Sequence, residues 1–207
     1  MREELLLDVP HRQVVFTIPR MLRIFFKFNR RLLVSLCRCA LRSLTRYFEV
    51  ITGSELMPGV IAAIQTFGNR LNVHPHLHFL VTEGGVGEAG VFHKVARFDD
   101  SRLAEFFARE VLSDLVRKEL LSPEWAERIL SWRHTGFSVH SRVRARTKRE
   151  AERVGKYMIR FFPWSASPSQ RKRERFSTSM GKMPERPSGW TIWKVLMAAE
   201  ASTEYSS

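Results

Sequence analysis

Residues 72–81 have the sequence NVHPHLHFLV, and this stretch decides how the chain is expected to fold. Alternate side chains of a β-strand point to opposite faces, so His76 and His78 share one face while the leucine, phenylalanine and valine between and after them share the other. The apolar face can be buried in a core while both imidazoles point into a cleft. The pattern predicts a strand over His76–Thr82, with His74 at its entrance because a proline follows it.

Two neutral imidazoles on one rigid strand are a common way to hold a divalent cation. The bare H-x-H pattern is frequent by chance, and structural histidines are the alternative, but three histidines within five residues favour a metal site. Gln65, at the end of the preceding strand, is one candidate for a further ligand, although it suits a cross-strand hydrogen bond equally well. Glu83 is a second candidate. Imidazole and oxygen ligands without thiolate suit Mg²⁺ or Mn²⁺ better than structural zinc.

Strands and helices interleave around this stretch, as in an α+β fold whose sheet is covered by helices. Residue types and alternation predict further strands at Gln13–Ile18, Val60–Thr66, Val91–His93 and Phe137–Ala145. Apolar residues at three- and four-residue spacing predict helices at Arg20–Val50, Asp99–Leu121, Ser122–Trp132 and Lys148–Phe161. The strands at Val60–Thr66 and His76–Thr82 are expected to form an antiparallel hairpin.

The composition changes after Phe162, where prolines and serines precede a basic run at Arg171–Arg175. We therefore expect one domain over residues 1–162. Residues 163–207 are expected to form a poorly ordered basic tail rich in serine and proline, with one short helix near Trp193–Ala199.

A formal net charge of +13 and a sequence pI of about 10.6 predict a polyanionic partner, either nucleic acid or an anionic membrane face. No segment offers the roughly 18 uninterrupted apolar residues that a membrane span requires. The first residues are acidic where a signal peptide would be basic, so we expect a cytoplasmic protein that does not bind membranes. The basic face of the helix at Arg20–Val50 is either solvated or a contact surface for phosphates. Cys37 and Cys39 are expected to be reduced, partly buried thiols.

Tyr157 lies in the last predicted helix. Most helical tyrosines are packing residues, but this one is surrounded by cations. A tyrosine hydroxyl has a pKa near 10 and attacks phosphorus poorly unless positive charge stabilises the phenolate and neutralises the phosphate. Tyr157 is therefore a candidate nucleophile. The candidate DNA contacts around it are Arg142, Arg144, Arg146, Lys156 and Arg160.

Five blocks of the sequence, in the same order, resemble the rolling-circle insertion-sequence transposases of the HUH endonuclease superfamily. The blocks are residues 9–19 (VPHRQVVFTIP), 63–68 (AIQTFG), 74–78 (HPHLH), 131–139 (SWRHTGFSV) and 157–160 (YMIR). The resemblance covers residues 5–162 and is specific, because five separate blocks match the family in both their residues and their order.

The resemblance implies an antiparallel central sheet of about five strands covered by helices. It implies that His76 and His78 bind a divalent cation, Mg²⁺ or Mn²⁺, which polarises the scissile phosphate. Tyr157 would attack that phosphate, leaving a 5′-phosphotyrosine link and a free 3′-hydroxyl. The implied partner is single-stranded DNA at the ends of a transposable element.

The chain departs from the family pattern in three places. Two-tyrosine members carry a second tyrosine four residues after the first, where this chain has Phe161. The family's N-terminal cysteine-rich zinc-binding domain is absent, and the residues after Phe162 do not resemble the family's continuation. We expect a shortened transposase. The alternatives are an inactive remnant that only binds DNA and a related plasmid replication-initiation nuclease.

Overall fold

The computed structural model describes residues 6–29, 31–67, 73–95 and 97–160, together with the backbone of residues 193–197. The strands are β1 (His11–Thr17), β2 (Val60–Phe67), β3 (Val73–Thr82), β4 (Gly84–Val86), β5 (Phe92–Lys94), β6 (Ser138–His140), β7 (Arg144–Ala145) and β8 (Trp193–Met197). A 3₁₀ turn at Arg20–Leu22 precedes the helices α1 (Arg23–Phe28), α2 (Arg31–Thr52), α3 (Asp100–Arg117), α4 (Pro123–Ser131) and α5 (Lys148–Arg160).

The histidine-bearing strand β3 is at the centre of the main sheet, whose strand order is β6-β1-β3-β2-β8, with β7 also paired to β1. All of these pairings are antiparallel except that of β8, which runs parallel to β2. The predicted α+β fold is confirmed, with five antiparallel strands in the main sheet as the described residues show it. In the register of the sheet His78 is flanked by Val15 on β1 and Ala63 on β2.

One face of the sheet packs into the main hydrophobic core beneath α2 and α3. Leu77 and Phe79 are at most 1% exposed on this face, and the Phe79 ring lies 5.2 Å from that of Phe16 on β1. Phe16 in turn contacts Phe107 of α3, with ring centroids 4.9 Å apart. Offset and edge-on aromatic pairs of this kind add to the stabilisation from burial itself. The apolar half of the alternation therefore holds the fold together.

The opposite face of the sheet packs against α5 through a second, smaller apolar cluster. Its buried members are Ala63, Leu80, Ala145, Ala151 and Met158. Ala151 and Met158 are seven residues apart on α5, a spacing that places both side chains on one side of a helix. Because this face is the one that carries the histidines, α5 is brought to the same side of the sheet as the candidate metal site.

Two helices begin at residues whose side chains cap them. The Asp99 side chain accepts hydrogen bonds from the backbone N–H groups of Ser101 and Arg102 at the start of α3. The Ser122 hydroxyl accepts one from Trp125 at the start of α4. Both caps satisfy backbone donors that a helix leaves unpaired in its first turn.

The prediction of one continuous helix over Arg20–Val50 is wrong. Asn29 ends α1 in an extended conformation, with φ −126° and ψ 95°. Its side-chain oxygen then accepts a hydrogen bond from the backbone N–H of Arg31, 3.1 Å away, at the start of α2. The apolar spacing continues through the break, so periodicity alone does not show it, whereas the short amide of asparagine is able to end one helix and begin the next.

The single strand predicted over Phe137–Ala145 is divided into β6 and β7. Between them, the backbone N–H and the hydroxyl of Ser141 both donate to the carboxylate of Asp100 on α3. These hydrogen bonds replace strand pairing at that point.

The short helix predicted near Trp193–Ala199 is also wrong, because Trp193–Met197 is extended and pairs with β2. A strand placed along an open sheet edge satisfies its backbone groups by pairing there, whatever its helical propensity. The rest of the predicted tail lies outside the described residues.

Among the described residues, no helix is long and apolar enough to cross a membrane. The predicted thiols are confirmed, since Cys37 and Cys39 are both free and buried in α2. Burial raises the pKa of each to about 12, so neither is a reactive thiolate at neutral pH.

Candidate functional site

Three histidines form a row on one face of β3. The ring centroids of His74 and His76 are 5.3 Å apart, and those of His76 and His78 are 5.0 Å apart. His74 belongs to the row because β3 begins at Val73, earlier than predicted. Pairing with β2 shifts by one residue between Gln65 and Phe67, opposite the part of β3 that contains a proline. A proline has no N–H to donate, so an irregular pairing is expected there.

Gln65 lies directly opposite His76 across the β2–β3 pair, as predicted. Its Oε1 is 2.9 Å from His76 Nε2, while His76 Nδ1 is 2.7 Å from the backbone oxygen of His74. With the ring proton donated from Nδ1 to that carbonyl, a neutral His76 presents a lone pair at Nε2. Two acceptors then face each other. A cation between them, a proton on Nε2 or a rotated Gln65 amide would each remove the repulsion.

His78 is oriented by Gln13, a residue to which sequence reasoning assigned no role. The Gln13 side-chain nitrogen is 3.1 Å from His78 Nδ1. If the amide presents its nitrogen, the ring proton is on Nε2; if it presents its oxygen, the proton is on Nδ1 and the Nε2 lone pair is available to a cation. The signal was present in the sequence, because alternation in QVVFTI places Gln13 on the face opposite Val14 and Phe16.

The environment keeps His78 uncharged near neutral pH. Burial, and to a smaller extent the neighbouring His76, lowers the pKa of His78 to about 4. Burial also lowers the pKa of His74, followed by the charges of Arg23 and His76. A neutral imidazole is the form that binds metals, so the environment favours the ligand state of His74 and His78.

Several polar atoms of this face are buried without a hydrogen-bond partner among the described residues. They are Gln65 Nε2, His74 Nε2 and His78 Nε2. Most buried polar groups in proteins are paired, and each unpaired one costs about 1–3 kcal/mol. Such a cluster indicates a site that binds a polar or charged group.

The donor set fits a small divalent cation. The 2.9 Å between His76 Nε2 and Gln65 Oε1 is a hydrogen-bond distance. It also matches the separation of roughly 3 Å between adjacent ligand atoms in an octahedral shell of Mg²⁺. Within the described ranges no three His, Cys, Asp or Glu side chains are grouped to hold a metal. A cation here would thus depend on the Gln65 amide and on oxygens from water or substrate, as hard cations commonly do.

Glu83 is not part of this site, and its prediction as a ligand is wrong. It follows the last residue of β3, about 16 Å along the strand from His78 at the usual rise per residue. Its side chain is 1% exposed and binds Arg12 at 2.8 Å and Arg144 at 2.5 Å. Two guanidinium groups therefore occupy its oxygens, and Glu83 is a structural anion that ties the end of β3 to β1 and β7.

Tyr157 lies on α5, beside the buried Met158 but not itself part of the packing face. It is 54% exposed, whereas Tyr47 in the main core is 1% exposed. The Tyr47 hydroxyl accepts a hydrogen bond from the backbone N–H of Asp99, 2.7 Å away. Tyr157 therefore differs from an ordinary packing tyrosine, and its ring is accessible to a polymeric substrate.

The predicted cationic contacts do not all lie on the histidine side of the sheet. Arg144 is paired with Arg12, and Arg12 with Val81 of the main core, so Arg144 belongs to the opposite face. Arg142, Arg146 and Lys156 are exposed, while Arg144 is held by Glu83. The side chain of Arg160 lies outside the described residues. A cavity of about 300 Å³ is lined by Gln13, Val15, His140, Arg142 and Val143. Gln13 thus connects the cation-lined cavity to His78.

Comparisons with known proteins agree on one family. The family model Y2_Tnp, described as "Putative transposase", matches residues 59–163, a range that includes Gln65, the histidine row and Tyr157. The transposase for insertion sequence element IS801 from Pseudomonas savastanoi pv. phaseolicola is 44% identical over 94 residues. That match covers 43% of this chain and 22% of the relative, so the chain matches about a fifth of the relative's length. No solved structure matches the chain.

Proposed function

The chain belongs to the Y2_Tnp family of transposases, and from this premise we propose that it nicks and transfers single-stranded DNA through a covalent bond between Tyr157 and a 5′-phosphate. The proposed cofactor is Mg²⁺ or Mn²⁺, held by His76, His78 and Gln65. The observation that carries the proposal is that imidazole nitrogens without a hydrogen-bond partner among the described residues lie on the sheet face that packs against the helix bearing an exposed Tyr157.

The proposed step is a phosphoryl transfer. The Tyr157 hydroxyl oxygen forms a bond to phosphorus, and the bond between phosphorus and the 3′-oxygen breaks. The phenolic proton passes to water, and the leaving oxygen takes a proton to become a 3′-hydroxyl. The resulting phosphotyrosine is still a phosphodiester, so attack by another 3′-hydroxyl rejoins DNA and releases Tyr157. A divalent cation bound at the histidines would supply charge withdrawal from a non-bridging phosphate oxygen.

The protein's own contribution is orientation and charge. The His74 carbonyl and the Gln13 amide fix the rings of His76 and His78, as outer partners of metal-binding histidines commonly do. Burial of Ala151 and Met158 fixes α5 against the sheet. The exposed cations Arg142 and Lys156 would offset phosphate charge. A flexible single strand suits this arrangement better than a duplex, since it can bend to bring one phosphate to Tyr157.

The test is a covalent trapping experiment. The full chain is incubated with Mn²⁺ and a random-sequence pool of single-stranded oligonucleotides carrying a 3′ fluorophore, then denatured in detergent. Because a 5′-phosphotyrosine retains the 3′ part of the DNA, a fluorescent protein band is expected with the 3′ label and not with a 5′ label. Tyr157→Phe should lower the band at least about 100-fold, the size expected when a nucleophile is removed.

Tyr205→Phe is the matched control, being the same substitution elsewhere in the chain, and should leave the band unchanged. A band that persists in Tyr157→Phe would refute the nucleophile assignment. DNA binding without any adduct in the unaltered protein would also overturn the proposal and would favour a remnant that only binds DNA.

A further inference from the structure

An apolar ridge is exposed on the short segment that follows β1. Met21, Ile24 and Phe28 are 44%, 52% and 76% exposed. Their spacing of three and four residues places them on one side of the 3₁₀ turn and α1. Leu22 and Phe26, which are at most 4% exposed, face the core on the opposite side. These three exposed side chains are called the α1 ridge.

A basic row runs beside the α1 ridge. Arg20, Arg23 and Lys27 repeat the spacing of the ridge one position earlier in the sequence, so they lie along one of its flanks. The Lys27 ammonium lies 5.1 Å from the centre of the Phe28 ring. Among the described residues none of these three cations forms an ion pair. A row of like charges without counter-charges favours a polyanionic partner.

The ridge and the row adjoin the histidine face. β1 leads directly into this segment, and its last residue, Thr17, is paired with His76. α1 also contacts β3. A strand bound along α1 would therefore continue onto the histidine face.

We propose that the α1 ridge stacks the bases of a single-stranded DNA segment while the basic row binds its phosphates, next to the proposed cleavage site. The inference rests on the proposed function and names a substrate-binding surface for it. Single-stranded DNA exposes base faces that a duplex hides, and an exposed apolar ridge ending in an aromatic ring, beside cationic side chains, matches its chemistry. Three apolar side chains accommodate two or three bases, whereas a stable protein interface needs about 800 Å² on each partner.

The test is equilibrium binding of the full chain, carrying Tyr157→Phe to prevent covalent trapping, to fluorescein-labelled oligothymidine of 20 nucleotides in EDTA. Phe28→Ala should weaken binding about 10-fold, in the range that losing one base stack gives. Arg20→Gln with Lys27→Gln should lower the slope of log Kd against log salt by about 1.4, or about 0.7 for each lost phosphate contact. Because Phe28 is mostly exposed, unfolding should not accompany its replacement, which the thermal midpoint will show.

Trp125 of α4 supplies a matched control, since it is 47% exposed and has the Arg128 guanidinium 5.6 Å from its ring centre. Trp125→Ala should bind within twofold of its parent. The inference is overturned if Phe28→Ala also binds within twofold, or if it weakens duplex binding as much as single-strand binding. A Phe28-dependent loss of binding to phosphatidylserine vesicles, with DNA binding unchanged, would equally overturn it.

The two proposals fail in different ways. If the parent does not bind the oligonucleotide in EDTA, the ridge assignment is lost, while adduct formation in Mn²⁺ still decides the nicking proposal. If Tyr157-dependent adducts form and Phe28→Ala binds normally, only the ridge assignment is lost.

Discussion

On one face of β3, Leu77 and Phe79 are at most 1% exposed and pack into the main core, while on the other His76 and His78 are only partly buried. The buried side-chain nitrogens without a hydrogen-bond partner among the described residues lie on the histidine side. The apolar cluster that fixes α5 there is much smaller than the core beneath α2 and α3. A well-packed face on one side of a strand thus lets the other side carry polar groups that lower stability.

A ligand site needs both a packed face that stabilises the strand and a polar face that is not fully paired. Each unsatisfied polar group costs stability in the unliganded protein, and a bound ligand that pairs with it recovers the cost. The same strand serves both purposes, because alternation places Leu77 and Phe79 on the core face and the histidines on the other.

The largest effect is expected in the core face. Phe79→Ala should lower the free energy of unfolding by about 3–5 kcal/mol, because it removes a buried ring and leaves a cavity against Phe16. Urea unfolding followed by tryptophan fluorescence would measure this. A loss below about 1 kcal/mol would contradict the assignment of this face as the main source of stability.

A somewhat smaller effect is expected at Glu83, where β3 ends. Glu83→Gln should lower the free energy of unfolding by about 3 kcal/mol at pH 7, because it leaves Arg12 without its buried counter-charge. Arg144 contributes less to this loss, because its side chain is 41% exposed and can still be hydrated. Burial alone would raise the pKa of Glu83, but hydrogen bonds and charges from Arg144 and Arg12 outweigh it and lower the pKa below its usual value.

The pH dependence at Glu83 follows from that direction. A carboxyl whose pKa is lowered by folding stabilises the folded state above its unfolded pKa, about 4.3. This contribution is lost as the pH falls through the folded-state value. Urea midpoints of the unaltered protein and of Glu83→Gln should therefore differ most above pH 5 and converge in acid. A difference that does not depend on pH would show that charge is not its source.

On the histidine side, Met158→Ala should lower the free energy of unfolding by about 2 kcal/mol. This is the lower end of the range for replacing a buried methionine by alanine, because the cluster around Met158 is small. The effect of Met158→Ala on adduct formation should be larger than this loss explains, since Met158 holds the helix that carries Tyr157. Leu115→Ala, in the core side of α3, is the control: it should lose at least as much stability but keep its adduct yield per folded molecule. Equal adduct losses in both variants would contradict the positioning role.

The smallest effect on stability is expected at His78 itself. His78→Leu removes a buried nitrogen that has no partner among the described residues, which should raise the free energy of unfolding by about 1–3 kcal/mol. It also leaves the Gln13 amide without its hydrogen-bond partner, which lowers that free energy. The net change in the free energy of unfolding should therefore stay within about 1 kcal/mol. Calorimetry should nevertheless show that Mn²⁺ binding is lost. His93→Ala, at an exposed histidine of β5, should bind as before. Unchanged Mn²⁺ binding in His78→Leu would reject the metal assignment.

Much of this arrangement is predictable from local patterns. Alternation in residues 73–82 separates the histidines from the core residues. The antiparallel hairpin of β2 and β3, also expected from the sequence, places Gln65 opposite His76. The caps at Asp99 and Ser122 are also local features, because each joins residues only two or three positions apart. The roles of the histidine row and of Tyr157 stay predictions.

What local patterns missed depends on contacts between distant residues. Gln13 and His78 are 65 positions apart and meet only because β1 and β3 pair. Glu83 has the chemistry of a metal ligand in sequence, but Arg12 and Arg144, brought in by β1 and β7, turn it into a structural anion. Side-chain direction is a property of the strand and follows from its two-residue period, whereas the partner of a polar atom is set by sheet pairing, which no short stretch of sequence contains.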